Sequence, residues 1–181
     1  MIYCFLAPGF EETEAISAVD TVRRGELDIK TVGIGGKVVT GTHSISVVAD
    51  VSENELSDIS DMTGIILPGG IPGTINLEKN PIVMHCIKYA ADNNLLIAAI
   101  CAAPSILGKM GLLKGKTATC FEGYEFTLEG ANVTGGRVET DGNIITGKAV
   151  GTAIEFGIEI IRYFRGDGEA DAIKCAMVCK E

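Results

Sequence analysis

Cys101 ends an uninterrupted apolar run, Leu95-Leu96-Ile97-Ala98-Ala99-Ile100, and is followed by Ala102-Ala103-Pro104-Ser105. The run suits a central strand buried on both faces. Small residues allow a tight corner after it. Pro104 fits a first helical turn, where its missing N–H would be unpaired anyway. A nucleophile on such a strand-to-helix corner is a nucleophile elbow, here with cysteine in the place of serine. Free N–H groups and the positive dipole end at a helix N-terminus favour a thiolate, which predicts a lowered Cys101 pKa. The competing reading is a packed core cysteine, because a free thiol behaves as a small hydrophobe. The pattern around Cys101 leaves both open.

Three features would meet this cysteine at one sheet edge. Glu14 stands near the start of the first predicted helix. Pointed at Cys101, its carboxyl shares a hydrogen bond with the sulfur, and burial or a neighbouring thiolate keeps it protonated. By pattern alone Glu14 is indistinguishable from Glu11 and Glu12, which read as solvated helix-start carboxylates. Gly69 and Gly70 follow a second apolar run and can turn their N–H groups inward as an anion nest or oxyanion hole. Ala102, beside the sulfur, joins them as an anion-binding position. The plainer alternative for the glycines is a tight turn at positive φ. Cys120 ends a further predicted strand and is either a second thiol near the pocket or a buried small residue.

Other chemistries find little support. The chain has no Gly-x-Gly-x-x-Gly and no Gly-Lys-Ser/Thr phosphate loop. Its two histidines, His43 at a turn and His85 within a helix, form no Cys/His cluster with zinc spacing. Neither a metal nor another cofactor is expected. Cys175 and Cys179, four apart, read as packing.

The elements that would position these residues alternate. Strands are predicted over Ile2–Ala7, Ile29–Ile34, Gly64–Leu67, Leu95–Ile100 and near Thr117–Thr119. Helices are predicted over Glu11–Arg24, Pro81–Asn93, Pro104 to about Lys109, Tyr124–Leu128, Thr152–Phe164 and from Asp167. Val38–Val48 reads as a small hairpin, and Asp50–Asp61 as a surface helix or loop. Asn132–Val138 and Asn143–Thr146 read as a hairpin around Asp141-Gly142. Strand–helix alternation implies a mostly parallel sheet with helices on both faces, and ligands bind beyond the strand C-terminal ends in such sheets.

With 181 residues, 46% hydrophobic and 22% charged, the chain reads as a single domain over 1–181 with a sizeable core. A net charge of −9 argues against nucleic acid and anionic membrane as partners. The apolar run at Met1 stops at Pro8-Gly9, too short to span a bilayer. Six scattered cysteines without an export signal read as free thiols of a cytoplasmic protein.

Several of these stretches, in order, resemble the ThiJ/PfpI superfamily and its DJ-one branch, the Parkinsonism-associated deglycase family. They are Leu6-Ala7-Pro8-Gly9-Phe10-Glu11-Glu12-Thr13-Glu14, Val19-Asp20 with Arg23-Arg24, Leu67-Pro68-Gly69-Gly70-Ile71-Pro72-Gly73, Ala98-Ala99-Ile100-Cys101-Ala102-Ala103-Pro104, and Gly151-Thr152-Ala153-Ile154-Glu155-Phe156. The resemblance implies a flavodoxin-like three-layer α/β sandwich and a homodimer. It implies that Cys101 is the reactive cysteine, Glu14 its protonated partner, and Gly69 and Gly70 the lining of an anion pocket. It further implies action without cofactor on small 2-oxoaldehydes or glycated adducts, or else redox sensing or chaperone-like function through Cys101 oxidation. Protease-like branches carry His after the nucleophile; here Ala102 stands there, so peptide hydrolysis lacks its base. The chain also departs from the branch pattern. It aligns Cys120 with a His near the reactive cysteine, His43 with an Arg of the anion site, and Lys148-Ala149-Val150-Gly151-Thr152 with an Arg-Gly-Pro-Gly-Thr turn. An older family label, thiazole monophosphate biosynthesis, finds no specific support in these residues.

Overall fold

The computed structural model describes residues 1–56 and 58–179. Ser57, inside the predicted acidic stretch, and the last two residues of the predicted terminal helix lie outside them. Six strands of the main sheet run parallel, beginning with β1 (Ile2–Leu6) and β2 (Ile29–Gly33). The full strand set continues with β3 (Val38–Thr40), β4 (Ser46–Val48), β5 (Val51–Ser52), β6 (Gly64–Leu67), β7 (Leu96–Ile100), β8 (Thr117–Ala118), β9 (Asn132–Val133), β10 (Val138–Asp141) and β11 (Ile144–Gly147). The helices are α1 (Glu12–Arg24), α2 (Gly73–Lys79), α3 (Pro81–Asp92), α4 (Pro104–Lys109), α5 (Ala153–Arg165) and α6 (Asp167–Ala176). The main sheet runs β10-β11-β7-β6-β1-β2-β5, parallel except for the β10–β11 hairpin. This is the expected flavodoxin-like sandwich. The chain leaves β1 toward β2 on one side and returns to β6 on the other, so a crevice opens between β1 and β6 at their C-terminal ends.

Strand alternation builds both layers. Tyr3, Phe5, Ile65, Leu67, Ile97 and Ala99 face one apolar cluster, which α2, α3 and α4 cover. Ile2, Cys4, Leu6, Ile66, Ala98 and Ile100 face the other, which α1 and α5 cover. Every residue of β1, β6 and β7 is buried, which explains why their sequences read as continuous apolar runs rather than alternating ones.

Two local expectations need correcting, and one helix was not expected. Asp50–Asp61 holds a short strand, β5, added to the sheet edge beside β2, followed by a 3-10 turn over Glu53–Glu55. Two residues of pairing are too few to leave a period-2 signal. The Gly73–Lys79 stretch after the glycine loop is a helix, capped by the turn before it rather than by a side chain. The 132–146 region splits: β9 pairs in parallel with β8, and only β10 and β11 form the hairpin. Among the described residues, no helix is long and apolar enough to cross a membrane.

Helices α1 and α5 meet at Gly157, where a Cβ would sit 2.7 Å from Cβ of the buried Thr21. Overpacking of this kind costs about 1–3 kcal/mol, against about 1 kcal/mol gained in helix propensity on replacing glycine by alanine. A Gly157→Ala variant is therefore expected to melt several degrees below wild type by calorimetry. An unchanged or raised Tm would show that the two helices separate without cost.

Candidate functional site around Cys101

Cys101 occupies the corner between β7 and α4 with φ at +66°, a left-handed conformation for a residue with a Cβ. Such backbone costs roughly 1–3 kcal/mol and persists only where surroundings enforce it. Here the Cys101 N–H donates to Gly147 O at 2.9 Å, and its carbonyl accepts the Phe121 N–H at 2.8 Å. Strand β11 on one side and the 119–121 segment on the other therefore hold the corner.

Glu14 lies in the first turn of α1 and has no exposed surface. Its Oε2 accepts the Gly69 N–H at 2.9 Å, its Oε1 is buried without a hydrogen-bond partner, and the carboxyl lies beside the Cys101 thiol. Gly69 has no room for a side chain. A Cβ there would lie 2.6 Å from both Glu14 Oε2 and Cys101 Cβ, and 3.1 Å from Cys101 Sγ. The backbone N–H groups of Ala102 and Gly70 favour a charged sulfur. Gly69 donates to the carboxyl and packs against Cys101. Gly70 takes φ +89°, and a Cβ on it would collide with the backbone of Gly9 and Glu11.

Burial lifts the Glu14 carboxyl to about 7, partly opposed by its hydrogen bonds to Cys101 and Gly69. Burial, and then the charge and hydrogen bond of an ionised Glu14, push the Cys101 thiol up to about 12, against the N–H groups of Ala102 and Gly70. The sequence predicted the opposite direction. Helix α4 is only six residues long, so its dipole is small, and a carboxyl stands closer to the sulfur than any cationic side chain does. Two of the three lifting effects require Glu14 to be ionised; a proton on Glu14 removes the repulsion and reverses the hydrogen bond.

Cys120 adjoins the corner, because its neighbour Phe121 donates to Cys101 O at 2.8 Å; its buried side chain belongs to the apolar cluster under α2–α4, whereas Cys101 abuts the cluster under α1 and α5. Burial pushes the Cys120 thiol up to about 11. His43 stands exposed at the tip of the β3–β4 hairpin, with Nδ1 2.9 Å from Glu12 Oε2 and 3.7 Å from Glu11 Oε1. Its hydrogen bond to Glu12 raises its pKa. Glu11, Glu12 and His43 are the one group among the described residues whose donor atoms lie close enough, within 4.8 Å, to hold a metal. Those donors already bond one another and nearby N–H groups, and a helix N-terminus disfavours a cation. Lys148 bonds Gly135 O at 3.0 Å, and His85 is exposed on α3.

Glu12 is the residue that sequence reasoning passed over. The helical period does not separate the two: Glu14 aligns with the buried Ala18 and Thr21, and Glu12 with the buried Ala15 and Val19 as well as the exposed Ile16. Only the distant hairpin buries it.

Comparison with known proteins agrees with this geometry. Residues 1–163 match the model of the DJ-1/PfpI family. Protein DJ-1 homolog A of Arabidopsis thaliana is 36% identical over 97% of this chain, which spans 45% of that protein. The chain covers less than half the length of the two Arabidopsis relatives it matches. A Caenorhabditis elegans protein named glutathione-independent glyoxalase is 30% identical, with 90% of this chain and 87% of that protein covered. The crystal structure of Drosophila melanogaster DJ-1beta superposes with a TM-score of 0.93 at 28% identity, covering 99% of this chain and 98% of that one. With a family match over residues 1–163, relatives at 30% identity or more and a shared fold, this chain belongs to the DJ-1/PfpI family.

Proposed function

We propose that the protein is a cysteine-dependent glyoxalase or deglycase that acts on small 2-oxoaldehydes, or on their adducts with proteins, without cofactor. The observation that carries this reading is the fully buried Glu14 carboxyl set beside Cys101 across Gly69, where the Gly70 and Ala102 N–H groups favour a charged sulfur. Carboxylate with thiol and carboxylic acid with thiolate hold the same proton and the same net charge. Burial therefore does not separate them strongly, and the two N–H groups favour the thiolate form.

In this mechanism the thiolate adds to the aldehyde carbon of methylglyoxal. The S–C bond forms, the carbonyl π-bond breaks, and the new oxyanion takes a proton from Glu14, giving a hemithioacetal. The Glu14 carboxylate then removes the proton from that carbon, and a proton returns at the neighbouring carbon. The product is a lactoyl thioester. Water hydrolyses it to lactate and restores the Cys101 thiol. Deglycation would use the same covalent capture. The Gly70 and Ala102 N–H groups stabilise negative charge beside the sulfur throughout.

A second reading rests on the same cradle. N–H groups that favour a charged sulfur would also hold a sulfenate or sulfinate, so peroxide oxidation of Cys101 would give a redox-sensing stress protein without turnover. In either reading we place the protein in the cytoplasm, as a homodimer. Val38, Ile45 and Val48 of the hairpin stand 68%, 58% and 72% exposed, an apolar surface that a second copy would cover.

D-lactate formation from methylglyoxal, without added metal or glutathione, is expected from wild type and expected to vanish in Cys101→Ser. Absence of turnover in both proteins would shift the assignment to oxidation, read by mass spectrometry of the Cys101 peptide after peroxide. The Glu14 assignment has its own test. A carboxyl raised from 4.5 to about 7 in the folded state contributes stability that is full below pH 4.5 and is lost as pH rises through 7. At 1.36 kcal/mol per pKa unit this amounts to about 3 kcal/mol. Urea unfolding from pH 4 to 8 should show wild type losing that much relative to Glu14→Gln. Parallel curves for the two proteins would mean that Glu14 is ionised throughout.

A further inference from the structure

We infer that Glu12 is a positioning residue for Cys101: its carboxylate clasps the tip of the β3–β4 hairpin onto the 69–73 loop, and so fixes the Gly69-Gly70 backbone that packs against the sulfur. The inference rests on Cys101 as the reactive group, but not on any particular substrate.

Glu12 is only 6% exposed, at the N-terminal end of α1. One of its oxygens accepts the backbone N–H groups of His43 at 2.8 Å and Ile45 at 3.3 Å, and the other faces His43 Nδ1 at 2.9 Å. Gly41 leaves the space that this carboxyl fills; a Cβ there would collide with it. Burial by itself would lift the Glu12 pKa, yet the hydrogen bonds from His43 and the nearby N–H groups hold it below the usual range. The carboxylate is thus built into the hairpin tip rather than resting on it.

The tip is in turn tied to the catalytic loop. The Thr42 hydroxyl donates to Ile71 O at 3.0 Å, and the Thr42 N–H to Phe10 O at 2.9 Å. Gly9 N–H donates to Thr40 O at 2.8 Å, Glu11 N–H to Gly69 O at 3.0 Å, and Gly73 N–H to Gly9 O at 3.0 Å. Segments 8–12, 40–45 and 69–73 therefore form one hydrogen-bonded knot. Glu12 closes its outer side, and the Gly69-Gly70 backbone lies against Cys101 on its inner side. Without the carboxylate, the His43 and Ile45 N–H groups lose their acceptor and the tip loses its hold on Ile71. Gly70, one residue away, then gains freedom, and the sulfur loses a fixed donor.

The experiment measures iodoacetamide alkylation of Cys101 against pH, read on the Cys101 peptide by mass spectrometry so that the other thiols do not contribute. In Glu12→Ala the alkylation midpoint should move to higher pH, with the rate at pH 7 falling about tenfold, the effect of one hydrogen bond to a charged group. Glu12→Gln, which keeps an acceptor oxygen, should recover most of the wild-type rate. Thr42→Val cuts the tie to Ile71 on an exposed residue and should shift the midpoint the same way by less, which keeps the inference testable should Glu12→Ala fail to fold. A lower Tm with an unmoved midpoint in the folded variants would overturn it and leave Glu12 a purely structural clasp. The readout is the thiol itself, so a lack of methylglyoxal turnover would leave this result unaffected.

Discussion

A carboxyl group with no exposed surface sits against a sulfur where three parallel strands end, and much of the surrounding backbone answers to that pair. Removing a carboxyl from water penalises its charged form. Glu14 is tolerated because Gly69 donates to it and because a proton can be shared with Cys101. The same burial would make an isolated thiolate unfavourable. It becomes accessible only because the proton has somewhere to go and because the Gly70 and Ala102 N–H groups favour a charged sulfur.

Close approach is the second constraint. Helix α1 must come near enough to β6 and β7 for Glu14 to reach both Gly69 and Cys101. A side chain on Gly69 would occupy the space of Glu14 Oε2, and one on Gly70 would collide with the chain after β1. The two glycines are therefore needed for different reasons, one for space and one for space together with positive φ. The left-handed Cys101 belongs to the same geometry: its strained corner turns the sulfur out of the β7 line and toward α1, held by bonds to Gly147 and Phe121.

Helix and hairpin cooperate around this centre. Acidic residues crowd the start of α1, where the dipole favours them, yet each has its own role. Glu11 caps the helix by accepting the Glu14 N–H at 2.6 Å, Glu12 clasps the hairpin, and Glu14 faces the sulfur. Three carboxylates within four residues thus serve three different neighbours, each brought in from a different part of the chain.

The sequence alone determined the sheet, because continuous apolar runs at 2–6, 64–67 and 95–100 can be satisfied only by strands buried on both faces. It also determined the candidate cysteine, because an apolar strand running into Cys-Ala-Ala-Pro leaves few alternatives to a tight corner. The hairpin and long helices followed from turn residues and helical period. What it left open was long-range. Glu11, Glu12 and Glu14 look alike until α1 docks beside β6 and the hairpin folds over it. The direction of the Cys101 pKa was misread because local sequence shows the helix start and hides the carboxyl, which arrives from 87 positions away by numbering, 101 minus 14. Strand β5 and helix α2 escaped because they are held by the sheet edge and a glycine loop rather than by their own periodicity. Local pattern fixes which backbone forms; only packing decides which polar groups lose their water, and the chemistry of this site follows from that loss.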